Sequence, residues 1–205
     1  MKFLKRLKQI VLLKRFKSKK STKPLEISKE SSTRELLSSK EDLSLLIEFI
    51  KPSNLFLGVE YENITKNSFQ EVCDILRLYQ VGQLIEVIEI LTTKKNIEIL
   101  DSNSQEFIKF VKWIGEQVKM VLSLYKNVEV SEFDEDDIAF QNAGADKLNR
   151  YQETVIFYSI NKDPSKWPKI ASVKFETMFT KLLIDKDYNA INKAYMKNQK
   201  TKNNG

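Results

Sequence analysis

Histidine is absent from this 205-residue chain, cysteine occurs once, at Cys73, and there are only five glycines and four prolines. Each shortage excludes a chemistry. Without histidine, neither a Ser/His/Asp nor a Cys/His arrangement can form, and a lone cysteine closes neither a multi-thiolate zinc site nor an internal disulfide. The glycines stand at positions 58, 82, 115, 144 and 205. They are too scattered for a G-x-G-x-x-G turn or a Walker loop, in which glycine lets backbone amides approach phosphate. Long apolar runs near the N-terminus are also missing. Residues 10–13 form a short one that ends at Lys14 and Arg15, whereas a secretion signal needs roughly seven to fifteen apolar residues and a membrane span about twenty. Neither is expected, and one thiol among many lysines suits a reducing, intracellular setting.

What the chain does have is enough apolar material, 41% of its residues, to build a core. Its charge is unevenly divided. Residues 1–24 carry ten basic side chains and no acidic one, so of the net +6 the remaining residues hold −4, from 24 basic and 28 acidic groups. A phosphate track requires cations clustered over the docking face. The body lacks that excess, and any polyanion contact is expected through the N-terminal arm.

Within that arm Phe3, Leu4, Leu7, Ile10 and Val11 share an arc of about 120° at 100° per residue, which predicts an amphipathic basic helix over residues 2–11. Leu12, Leu13 and Phe16 fall off the stripe, so the apolar surface wraps round. A membrane surface favours one stripe, while a protein groove accommodates a wrap. Phe3, Leu4, Arg6, Leu7, Ile10, Val11, Arg15 and Phe16 are therefore the candidate partner-binding residues. Protein docking is the preferred reading, nucleic-acid contact is the alternative, and membrane contact is disfavoured. Residues 17–33, serine- and lysine-rich and broken by Pro24, read as a linker.

From residue 38 the periodicity becomes helical. Ser38 with Glu41, or Ser39 with Asp42, predicts a capped helix over about 40–50, ended by Pro52. Residues 54–67, with Gly58, read as a loop or short extended segment. A second capping box, Ser68 and Glu71, opens a helix carrying Val72, Ile75, Leu76 and Tyr79; Gly82 then interrupts, and Leu84, Ile85, Val87, Ile88 and Leu91 resume the helical spacing. Residues 104–126 form the clearest element, with Phe107, Phe110, Val111, Ile114, Val118, Val121, Leu122 and Tyr125 on one face. Another helix is expected over about 135–160. Pro164 and Pro168 stand where helices start, and Val173, Met178, Phe179, Leu182, Leu183, Tyr188, Ile191 and Tyr195 define the last helices. Residues 97–100 and 128–133 alternate and could pair as minor strands. The expected architecture is all-α: arm and linker over 1–33, a compact multi-helix domain over 34–196, and a polar tail over 197–205.

Few other residues suggest chemistry. The acidic run Glu132, Asp134, Glu135, Asp136 and Asp137 lacks the alternating ligands and central glycine of an EF-hand loop. It reads as a solvated helix start, or as an intersubunit patch able to receive a neighbour's basic arm. Asp185 and Asp187 read as surface charge, Cys73 as a buried structural thiol, and Trp113 and Trp167 as packing anchors. Asn63 opens a glycosylation sequon that has no expected secretory context. No catalytic, cofactor or metal site is expected.

Over residues 55–91 (LFLGVEYENITKNSFQEVCDILRLYQVGQLIEVIEIL) and 166–195 (KWPKIASVKFETMFTKLLIDKDYNAINKAY), the sequence resembles small helical structural and assembly proteins of tailed bacteriophages. Its lysine- and asparagine-rich composition looks like phages of low-GC hosts, including the crAss-like group. The resemblance implies a non-enzymatic virion component, a ring, collar or connector of the portal–neck–tail region, assembled in the host cytoplasm and contacting copies of itself and neighbouring virion proteins. A tail-assembly chaperone and a nucleic-acid-associated accessory protein are the alternatives.

Overall fold

Side-chain caps decide where several of the helices begin. In the computed structural model, which describes residues 32–38, 47, 49–128, 138–139, 142–151 and 154–203, helix α1 spans Thr33–Ser38. A two-residue loop joins strands β1 (Leu55–Phe56) and β2 (Val59–Glu60) as an antiparallel hairpin. Leu57 and Gly58 take φ of 51° and 76° in that loop, the pair of positive angles that matches the twist of a tight hairpin. The extended segment expected around Gly58 is this hairpin.

Helix α2 (Phe69–Gln80) opens with the full capping box: Ser68 Oγ accepts from the Glu71 amide, and the Ser68 amide donates back to Glu71 Oε2 at 2.8 Å. Two orphan amides are satisfied at once. Gly82, at φ 80°, then turns the chain into α3 (Leu84–Thr92), the bend that the sequence predicts. Helix α4 covers Asn96–Leu100. Residues 97–100, whose alternation left a minor strand open, are helical. Ile99 is fully buried and Ile97 exposed: two residues apart they would share one face of a strand, whereas a helix sets them on opposite sides. Of residues 128–133, the possible partner strand, Val128 is helical and the rest lie outside the described residues.

The longest buried element is α5 (Ser104–Val128). Asn103 caps it, its Oδ1 accepting from the amides of Gln105 and Glu106. Phe107, Phe110, Ile114, Val118, Val121 and Tyr125 line its buried face. Gly115 leaves room for the Tyr79 hydroxyl of α2, which a Cβ there would meet at 2.7 Å.

The helix expected over 135–160 is broken. A 3-10 segment spans Ala145–Tyr151 and α6 covers Thr154–Ile160, with Gly144 at φ 96° turning the backbone out of the helical region before them. The start of the helix expected over 40–50 falls on residues outside the described ones, although Ile47 and Phe49 are helical. After α7 (Trp167–Ala171) comes α8 (Phe175–Asn203), which continues past residue 196 into the segment read as a polar tail.

One core joins these pieces. Phe56 stacks on Phe110 at 4.8 Å, and Phe110 on Trp113 at 5.3 Å. A second aromatic group links Phe69, Phe175, Phe179, Tyr125 and Phe157, with centroids 5.7 to 6.1 Å apart. Each such pair contributes about 0.5–1.5 kcal/mol beyond its buried area. That second group fixes the root of α8.

Candidate interaction surface

Helix α8 is anchored at its start by backbone and side chain together. The Phe69 amide donates to Val173 O at 2.7 Å, and the Phe175 amide donates to Asn67 O at 2.9 Å, tying the entry of α8 to the entry of α2. Glu176 accepts from Thr65 Oγ1 at 2.9 Å and from Lys66 Nζ at 3.1 Å. The Lys66 hydrogen bond, then that of Thr65, holds the Glu176 carboxyl below the usual glutamate value. Phe175, Met178 and Phe179 enter the core, and Leu182 and Leu183 pack against it.

Beyond Leu183 the pattern inverts. Ile184, Tyr188, Ile191 and Tyr195 are 62%, 63%, 66% and 59% exposed. Every described side chain from Asp187 to Gln199 is exposed, so this part of the helix extends off the body. At 100° per residue the four lie within about 60° of one another, and that arc is about 180° from the one holding Phe175, Met178, Phe179 and Leu182. A single continuous helix thus carries two apolar faces in succession. The first is covered by the core and the second, among the described residues, by nothing. Lone exposed apolar residues are ordinary, but a contiguous stripe marks an interaction site.

The polar residues of the helix follow the same division. Residues 175–187 hold three carboxylates and two lysines, whereas residues 188–203 hold Lys193, Lys197, Lys200 and Lys202 and no carboxylate. Residues 25–187 taken together carry 20 basic and 28 acidic side chains, a net of −8. The distal part of α8 is therefore a positive segment with an apolar stripe, joined to a negative body.

A shallow hollow of about 250 Å³ lies beside the root of α8, lined by residues that include Asn63, Thr65, Met120, Phe175, Glu176 and Phe179. Its one carboxylate is already committed to Thr65 and Lys66. Among the described residues no group of three or more His, Cys, Asp or Glu could hold a metal ion, and no helix is long and apolar enough to cross a membrane.

The residues singled out by sequence stand as follows. Phe3, Leu4, Arg6, Leu7, Ile10, Val11, Arg15 and Phe16 lie outside the described residues, as do Glu132, Asp134, Glu135, Asp136 and Asp137. Cys73 is buried beside Tyr125, whose hydroxyl is pushed well above the usual tyrosine value by burial and further by the Cys73 charge and hydrogen bond. Asp185 pairs with Lys181 one turn earlier. Trp167 donates its indole N–H to Asn161 O at 2.9 Å. Tyr188, Ile191 and Tyr195, read in the sequence as apolar positions of the last helices, lie on the uncovered stripe, and Ile184 completes it. An angular projection of residues 175–203 separates the two arcs without any coordinates.

No protein-family model, curated protein or solved structure matches the chain.

Proposed function

We propose that this chain is a non-enzymatic structural subunit that acts by making protein contacts, and that it serves as a ring, collar or connector component of a tailed-phage virion, assembled in the host cytoplasm. The observation that carries the contact-making reading is the apolar stripe Ile184, Tyr188, Ile191 and Tyr195 on a helix that extends off the body. Tyrosine suits such a surface because its ring adds apolar contact area while the hydroxyl keeps a hydrogen bond at the rim. The narrower virion identity draws its support from the resemblance over residues 55–91 and 166–195 and from the basic segment 1–24, suited to clamping a neighbour.

Native mass measurement of the purified chain and of particles from its source tests this reading. A structural subunit is found at fixed stoichiometry in the particle. A chain bound to assembly intermediates but missing from finished particles is a chaperone, and a chain absent from both overturns the proposal. The ten cations of residues 1–24 also favour one second reading, a nucleic-acid accessory role. It predicts DNA binding that weakens steeply with salt and is lost when residues 1–24 are removed.

A further inference from the structure

Resting on the contact-making reading, we infer that the occupant of the α8 stripe is the same stripe of a second copy of this chain, running antiparallel. The spacing supports a helix–helix seam. Ile184 and Ile191, and likewise Tyr188 and Tyr195, stand seven residues apart, the two-turn repeat along which two helices wrap with a small left-handed crossing. Reversing the order Ile, Tyr, Ile, Tyr exchanges the two residue types. A two-fold axis between Asn189 and Ala190 therefore sets Ile184 against Tyr195 and Tyr188 against Ile191 of the other copy. Each large ring then meets a smaller branched side chain, the alternation that lets layers interdigitate. A parallel pair would instead stack ring on ring and branch on branch.

Charge chooses both the occupant and the direction. Residues 188–203 carry four lysines and no carboxylate, on a chain whose residues 25–187 sum to −8. Antiparallel overlap lays the positive segment of each copy along the root of α8 and the negative body of the other. A parallel pair brings the two lysine-rich ends side by side, and interspersed like charges oppose that arrangement. The N-terminal arm is a poor occupant by the same argument, because its ten cations and lack of carboxylates match the sign of the distal segment. The surface is also clear where the partner would extend. Thr177 and Thr180, which continue the outward face toward the root, are exposed. The contact is isologous and consumes the stripe of both copies, so a ring built from these pairs closes through a second surface.

Two measurements on the full chain test this. Sedimentation over a concentration series should show a monomer–dimer equilibrium, weakened on the order of a hundredfold by Ile191→Asp and about tenfold by Lys193→Glu with Lys197→Glu. Ile191 and Lys193 are exposed, so loss of association is separable from loss of fold, which circular dichroism checks for each variant. A spin label on Gln199→Cys, attached under native conditions that spare buried Cys73, should stand about 30 Å from its mate in the antiparallel pair, given a rise of 1.5 Å per residue. In a parallel pair the separation falls to about 10 Å. The short distance overturns the inference. So does a chain that stays monomeric at every concentration, or a dimer that the three substitutions leave intact. A monomer recovered at fixed stoichiometry in particles, or one that sediments with anionic vesicles, assigns the stripe to another occupant. The particle result leaves the contact-making reading standing while overturning self-pairing; a solution dimer missing from particles and from assembly intermediates supports self-pairing while overturning the virion identity.

Discussion

The two halves of α8 are one continuous helix with opposite burdens. Residues 175–183 hold the fold together, through Phe175, Met178 and Phe179 in the core and the Glu176 brace outside it. The described side chains of residues 184–199 add almost nothing to that core, yet keep a regular apolar stripe on the other side. The comparison teaches that apolar content alone does not locate a core. The angle at which it emerges decides whether a residue supports the body or awaits a neighbour. Continuity of the backbone then lets the buried half orient the exposed half, because a helix anchored over its first turns projects in a set direction.

The comparison breaks first under truncation of a large side chain on each face. Phe175→Ala should lower the unfolding free energy by about 3–5 kcal/mol in urea titration. Ile191→Ala, measured in dilute solution, should stay within about 0.5 kcal/mol of the parent. Equal losses would place both halves in one core.

Alkaline unfolding sharpens the same contrast from inside the body. Buried Tyr125 retains its proton above 10.0, where the unfolded chain releases it. The unfolded state then binds fewer protons, and stability falls as pH rises beyond that value. Tyr125→Phe should flatten this decline in thermal melts taken across alkaline pH. An unchanged slope would assign the decline to other groups.

A smaller effect tests how the root of α8 is held. Ser68→Ala removes the cap of α2 beside the paired entries of the two helices and should cost about 1 kcal/mol. The same measurement should find association through the distal stripe unchanged. The smallest expected effect belongs to Glu176. Its folded-state value is lowered by Lys66 and Thr65, so the contribution is present above the ordinary 4.5 and lost as pH falls through the folded value. Glu176→Gln should therefore reduce the acid dependence of the melting temperature slightly, and a steeper dependence would contradict the brace.

Much of the body was legible in the residues themselves. The Ser68/Glu71 box, the break at Gly82 and the apolar face of α5 are local signals with one physical meaning each, and all three are realised. Residues 97–100 misled because four residues fit either period, and burial of Ile99 against the core decided for a helix. The break before α6 depends on the backbone angle of Gly144, which composition does not announce. In α8 the apolar residues were visible, but counting them together concealed that they occupy two arcs. The interaction surface was thus present in the sequence as an angle rather than as a motif.

Hydrogen exchange on the full-length chain across a concentration series tests the central claim most directly. The account predicts that amides of residues 175–183 are protected at every concentration, while those of 188–203 exchange rapidly in dilute solution and gain protection as concentration rises. Protection of residues 188–203 that is independent of concentration would contradict it, because the stripe would then be covered by the chain's own body.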